Sequence, residues 1–288
     1  MTDDDSLPVG ADLAIALMDA ATKANMNDAC RRGFLIELPA LGEVMVTGDL
    51  HGNTANLRRI TQLANLQRYR DRHLVLQELV HELDSITEVC RSYRLIEMAA
   101  RLKTTFPHQV HVLLGNHEFS ELLSLEIGKR GRELNSAFRE GVEVAYGFRS
   151  EDVVKAYHRF WRSCPLAIHT ENRLFMSHST PRLEKGEPFS LDYFRKVTPA
   201  EVFQREGPVF ALLWGRDYRT EAADAFAERM KADVLIVGHT ACKEGLHVPN
   251  ARHVILDCKD LDGRYAMLPL TVPLTQADVL SRVYKLYG

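Results

Sequence analysis

Val44-Met-Val-Thr-Gly-Asp-Leu-His-Gly-Asn53 is the stretch whose reading decides the rest of the chain. β-Favouring residues run into Gly48, and Asp49 and His51 follow one residue apart before Gly52. A strand ending in Gly-Asp-x-His-Gly holds a carboxylate and an imidazole on a tight turn at its carboxyl end. Open α/β sheets keep their ligands there. An oxygen and a nitrogen donor at this spacing suit a divalent first-row metal. An isolated Asp-x-His is more often a surface turn. Three further stretches change that balance: Val112-Leu-Leu-Gly-Asn-His-Glu118, Leu174-Phe-Met-Ser-His-Ser179 and Val234-Leu-Ile-Val-Gly-His-Thr240. Each is a short apolar run that leads into a His or an Asn-His, and four such strand ends in one chain are hard to explain as turns.

Working outward, Ala11 to Arg31 has Leu13, Ala14, Leu17, Met18 and Ala21 at helical spacing. Strands are expected at Phe34 to Leu38 and Glu43 to Thr47. Thr54 is expected to cap a helix running to about Leu66. A strand at His73 to Gln77 precedes a long helix from Ser85 to Lys103, then a strand at Val110 to Leu114. The stretch Phe119 to Gly147 reads as a helical, charged wall near the site, and Asp152 to Ser163 as a further helix. The second half is richer in strands (Leu166 to His169, Arg173 to Ser177, Val234 to Val237, His253 to Asp257, Tyr265 to Leu268), with helices at Glu221 to Lys231 and Gln276 to Tyr287. Strand–helix alternation followed by strands suggests two packed sheets flanked by helices.

The 288 residues contain no Ser/Pro/Gly-rich linker, so one domain is expected, with a core of about residues 42–270 extended by the first and last helices. A net charge of −3 without a basic stripe speaks against a nucleic-acid partner. No signal peptide or long apolar run argues for a membrane, so a soluble, cytoplasmic protein is expected. The five scattered cysteines read as free, mostly buried thiols of a reducing compartment.

The order Gly-Asp-x-His-Gly, Gly-Asn-His-Glu, His after an apolar strand, and Gly-His-Thr resembles the calcineurin-like metallophosphoesterases. The likeness is to their phosphoprotein phosphatase branch and its bacterial relatives, over roughly residues 42–270. The resemblance implies an αββα sandwich of two mixed sheets. It also implies two divalent ions (Mn, Fe or Zn), with Asp49 and His51 on the first and Asn116, His178 and His239 on the second. A hydroxide on the metals would attack the phosphoester. His117 matches the family's general acid, a role suited to imidazole near neutral pH, and Glu118 reads as support behind the site rather than as chemistry. A phosphate also needs a guanidinium clamp. Leu212-Leu-Trp-Gly-Arg216 resembles the family's Leu-Leu-Trp segment, which makes Arg216 the first candidate, ahead of Arg219 and Arg182. His158 and His169 read as structural.

The chain departs from the family at its Gly-Asp-x-x-Asp-Arg-Gly motif. Here the stretch is Gln77-Glu-Leu-Val-His-Glu-Leu83. Glu78 falls on the bridging Asp, His81 on the Asp that orients the catalytic His, and Glu82 on the phosphate-binding Arg. Glu78 still offers a bridging carboxylate. His81 supplies no fixed negative charge, so Glu82 or Asp84 is expected to take the orienting role, or His117 is a weaker acid. The expected substrate is a phosphomonoester, foremost phosphoserine or phosphothreonine in a protein. The alternatives are a hydrolase similar to the diadenosine tetraphosphatases and a non-catalytic binder of phosphorylated partners.

Overall fold

The computed structural model describes residues 10–82, 89–129, 132–182 and 188–288. In chain order the first half runs α1 (Ala11–Met26), β1 (Arg31–Arg32), β2 (Leu35–Leu38), β3 (Glu43–Asp49), α2 (Thr54–Ala64), β4 (Arg72–Gln77), α3 (Tyr93–Thr105) and β5 (Val110–Leu113). Then come α4 (Asn116–Leu123), the small hairpin β6 (Gly128–Lys129) and β7 (Arg132–Glu133), α5 (Leu134–Tyr146) and α6 (Ser150–Ser163). The second half has β8 (Ala167–Thr170), β9 (Leu174–Ser177), α7 (Leu191–Lys196), α8 (Pro199–Val202), α9 (Pro208–Trp214), α10 (Thr220–Arg229) and β10 (Val234–Val237). It closes with β11 (Leu246–His247), β12 (His253–Leu256), β13 (Arg264–Pro269), α11 (Gln276–Leu280) and β14 (Val283–Lys285).

Two mixed sheets result, as the strand pattern suggested. One has the order β14-β13-β3-β4-β5, the other β1-β2-β8-β9-β10-β12-β11. Strands β3, β4 and β5 are parallel to one another, as are β9, β10 and β12. Alternation along the strands builds the layers, because successive side chains point to opposite faces. Val44, Val46, Val75, Leu174, Met176, Val234 and Ile236 fill the space between the sheets. Their neighbours Met45, Leu74, Leu76, Phe175 and Leu235 face the other way, into the layers that the helices cover. Both faces being buried, these strands read as unbroken apolar runs.

The aromatic wall of α5 and α6 stands beside the strand ends. Phe138, Tyr157 and Trp161 are fully buried, with ring centroids 5.9–6.1 Å apart. Phe138 also meets His81 edge-on, at 5.8 Å between centroids. Phe138→Ala is expected to cost about 3–5 kcal/mol of stability, the usual worth of a buried aromatic side chain. Urea unfolding measures it, and a loss under 1 kcal/mol would mean that this wall carries little of the packing.

Several boundaries differ from the sequence expectation. Helix α1 stops at Met26 rather than Arg31, because Asp28 is turned inward. Its carboxylate accepts from Cys30 N (3.0 Å) and from the buried Lys103 ammonium (2.9 Å), and such a side-chain bond to nearby backbone competes with helix. Asn53, not Thr54, caps α2, accepting from Asn56 N at 2.9 Å. Helix α3 starts at Tyr93, so Val89 and Cys90 lie before it. Residues 83–88, on which the expected start falls, lie outside the described residues. The last helix ends at Leu280, and Val283–Lys285 pair with β13 instead, placing Tyr284 beside Tyr265 at 5.6 Å. Helices α7, α8 and α9 were not read from the sequence. Among the described residues no helix is long and apolar enough to cross a membrane.

Candidate active site

All the candidate ligands sit at carboxyl ends of strands drawn from both sheets. Asp49 ends β3 and His51 follows it. Glu78 and His81 follow β4, Asn116 and His117 open α4 just after β5, His178 follows β9 and His239 follows β10. The sheets touch here, where Asp49 makes a parallel bridge with Asp257 beyond β12. The register of β3 against β4 shifts between Val46 and Asp49, and a bulge of this kind re-aims the side chain that follows. Gly48 makes the close approach possible, since a Cβ there would lie 2.1 Å from Leu256 O. Gly238 does the same on the other side, where a Cβ would lie 2.2 Å from Asp49 Oδ1.

Three of these side chains stand on left-handed backbone: His51 at φ 42°, Glu78 at 47° and His239 at 63°. Such conformations cost non-glycine residues on the order of 1 kcal/mol or more each and persist only where the surroundings hold them. The holding bonds are visible. His51 N donates to Glu78 O (2.9 Å), and His239 N donates to Asp49 Oδ1 (2.9 Å). Glu118 Oε1 accepts from Leu79 N (2.7 Å) and Val80 N (3.1 Å), so it secures the turn that presents Glu78.

The donor atoms converge. His178 Nε2 lies 2.8 Å from Asn116 Oδ1, 2.9 Å from Glu78 Oε2 and 3.1 Å from His239 Nδ1. Asn116 Oδ1 is 3.0 Å from His239 Nδ1. Glu78, His178 and His239 form a buried group able to hold a metal ion. Two oxygen and two imidazole nitrogen donors facing one spot are a ligand set that suits a divalent first-row metal, so the residues fit a metal. Beside them, Asp49 Oδ2 is 3.9 Å from His51 Nε2, and His51 Nδ1 is 3.0 Å from Val80 O. As Nδ1–H the ring would donate to that carbonyl and leave Nε2 as an acceptor.

Electrostatics follow from burial. Burial raises the Asp49 carboxyl to about 6, with nearby Asp257 and Glu118 adding to it and His178 opposing. Burial, and then the Asp49 charge, hold Glu78 well above the carboxylate range. Glu118 is raised in the same way, by burial and then by Glu78. The rings of His239 and His81 are pushed down by burial to about 2 and about 3, so both are neutral near pH 7.

His117 lines the cavity beside His51, with ring centroids 4.9 Å apart. Its Nδ1 shares a hydrogen bond with His81 Nδ1 at 3.0 Å. Burial, then the neighbouring imidazoles His51 and His81, lower its pKa well below the usual value. The expectation that Glu82 orients His117 is not met. The Glu82 carboxylate accepts from Arg91 N at 2.7 Å, and it is His81 that stands behind the ring. Asp84, the other candidate, lies outside the described residues.

The cavity has a volume of about 230 Å³. Asp49, His51, His117 and His239 form its polar floor, and Arg216 borders it with Nη2 3.4 Å from His239 O. Neither Arg182 nor Arg219 is among its lining residues; Arg219 is turned to Asp217 at 2.5 Å. His158 contacts Glu121 at 3.4 Å on α6, and His169 sits within β8. Sequence reasoning missed three residues. Gln77 binds both Thr47 O (2.9 Å) and His178 Nδ1 (3.3 Å), and Asp257 and Lys259 line the cavity. The signal for the last two was a fifth apolar run, His253 to Leu256, leading into an acid rather than a histidine.

Residues 42–243 match the family model described as calcineurin-like phosphoesterase. A probable serine/threonine-protein phosphatase of Encephalitozoon cuniculi is 22% identical over 237 residues, covering 77% of this chain and 47% of the relative. The chain therefore spans about half the length of that curated relative. A solved protein serine/threonine phosphatase from Saccharomyces cerevisiae, with similarity to human phosphatase PP5, superposes with a TM-score of 0.73 at 14% identity, over 98% of this chain and 90% of that one. The cold-active protein-tyrosine phosphatase of a psychrophilic Shewanella species gives 0.55 at 14% identity, over 82% and 77%. At such identities the two structures speak for the fold alone.

Proposed function

We propose, from the premise that this chain belongs to the calcineurin-like phosphoesterase family, that it hydrolyses phosphomonoesters with the aid of two divalent cations. Phosphoserine or phosphothreonine in proteins is the favoured substrate, in line with the names of the similar phosphatases. The observation that carries this reading is the convergence of Glu78, Asn116, His178 and His239 beside Asp49 and His51.

In this reading Asp49 and His51 would hold one cation and Asn116, His178 and His239 the other, with Glu78 as a further carboxylate ligand. Mixed oxygen and nitrogen ligands suit Mn, Fe or Zn. Divalent cations there would supply positive charge at the phosphoryl oxygens and make water more acidic. The protein's own groups do the rest. Arg216 binds a phosphoryl oxygen, and His117, whose pKa is held low in the substrate-free protein, takes up a proton when the dianionic substrate binds beside it and gives that proton to the leaving alkoxide. His81, neutral and hydrogen-bonded at Nδ1, fixes the plane of the His117 ring. The chain acts as one metallophosphoesterase domain, and its five free thiols suit a reducing compartment such as the cytoplasm.

Chelation is expected to abolish turnover of an aryl phosphate, and added Mn²⁺ to restore it. Full turnover in exhaustively demetallated protein, verified by elemental analysis, would remove this reading. Phosphopeptides assayed beside dinucleoside polyphosphates then test the substrate class, and binding of phosphopeptides without any turnover would make the protein a binder.

A further inference from the structure

A phosphomonoester brings two negative charges, and the position of the family's second-motif arginine is occupied here by Glu82, which is turned to Arg91 N. Among the described residues, the cavity has two cationic residues in its lining, Arg216 and Lys259. We infer that Lys259 supplies the phosphate contact that the second motif no longer provides. The inference rests on the hydrolase reading above.

Its placement supports the role. The Lys259 side chain is only 15% exposed, and its ammonium lies 2.7 Å from Asp257 Oδ2. The backbone around it is tied down on both sides. Lys259 N donates to Asp257 Oδ1 (3.1 Å), and its carbonyl accepts from Asn53 Nδ2 (2.7 Å). Cys258 N donates to Asp49 O (3.0 Å), and Cys258 O accepts from Asn56 Nδ2 (2.6 Å). Lys259 is thus built onto the same turn that presents Asp49 and His51, and little freedom is lost when it binds. An ammonium has three donors, and Asp257 takes one. Asp260 Oδ2, at 3.9 Å, is beyond hydrogen-bond distance, so among the described residues donors remain for phosphoryl oxygens. Burial works against the charge, but the hydrogen bond to Asp257 and the charges of Asp257, Asp260 and Asp49 together outweigh it and hold the ammonium above its ordinary range. The competing role is purely structural: Lys259 would do no more than neutralise the buried Asp257.

The two roles separate in the Mn²⁺-loaded full chain. Lys259→Met is expected to weaken inorganic phosphate binding, measured by calorimetry, by roughly ten- to a hundredfold, the worth of a charge-assisted hydrogen bond. KM for an aryl phosphate should rise, while Mn²⁺ content and Tm stay at wild-type values. Lys259→Arg, which keeps the charge, should recover most of the binding. Unchanged phosphate affinity in Lys259→Met, with the wild type active, would overturn the assignment and leave the hydrolase reading standing. Loss of Mn²⁺ or of Tm without recovery in Lys259→Arg would make the residue structural and also overturn it. A wild type that shows no Mn²⁺-dependent turnover is the separate result that would remove the hydrolase reading itself.

Discussion

Glu78→Gln is expected to lose bound metal and nearly all turnover while keeping its fold. The amide has the shape of the carboxylate, and its oxygen can still accept from His117 N, a bond of 3.1 Å in the native protein. What disappears is the negative charge that, in the proposed two-cation site, Glu78 would set against the cations. Two dications about 4 Å apart repel by on the order of 10 kcal/mol or more even at an effective dielectric of 20, and a bridging carboxylate offsets much of this. Glu78→Asp should retain part of the activity, since only the reach changes. The metal-free proteins should behave in the opposite sense. The pKa of Glu78 is raised in the fold, by burial first and then by Asp49, so its stabilising effect is complete below the ordinary carboxylate range and is lost as pH rises through the raised value. Metal-free Glu78→Gln lacks that loss, and at neutral pH it should be at least as stable as metal-free wild type. The measurements are metal stoichiometry, kcat and Tm with and without Mn²⁺. Two metals retained in Glu78→Gln would show that the bridge lies elsewhere.

For His117→Asn, metal content near wild type and a kcat lower by roughly 10²–10⁴ are expected, the range usual for general acid–base catalysis. The loss should be large on alkyl phosphates and small on nitrophenyl phosphate, whose leaving group scarcely needs a proton. An equal loss on both would argue against His117 as the acid. The partner of His117 adds a second arm. His81 is neutral, and its Nδ1 lies 3.0 Å from His117 Nδ1, so His117 meets an uncharged ring at this nitrogen rather than a carboxylate. His81→Asp should place a carboxylate there, raise the pKa of His117 and keep or increase turnover of alkyl phosphates. A drop in that variant, with metals retained, would mean that His81 has work of its own at the site.

Much of this was legible along the chain because the signals are local. An apolar run of four to six residues makes a strand wherever it is buried on both faces, and a glycine followed by Asp, Asn or His marks its end. Val44 to Gly52, Val112 to Glu118 and Val234 to Thr240 carry that information without reference to anything distant. The same locality misled at helix ends. Val89 and Cys90 continue the helical spacing of Tyr93 and Ile96, yet the carbonyl of Cys90 is pressed against Gly141 of α5, where a Cβ would lie 1.8 Å away. Val283 and Tyr284 continue a plausible helix, yet β13 offered an open edge and took them as a strand.

The sequence by itself determined the strand ends, the types of their side chains and the departure at Gln77 to Leu83, because each depends on residues adjacent in the chain. Which of those side chains meet was decided by the tertiary structure. The turn of Glu82 to Arg91 N, the standing of His81 behind His117, the arrival of Arg216 rather than Arg219 at the cavity, and the tie of Lys259 to Asn53 all join residues from separate elements or turns. Such meetings depend on how two sheets pack and how a bulge at Gly48 re-aims Asp49, and no periodicity within either partner encodes them.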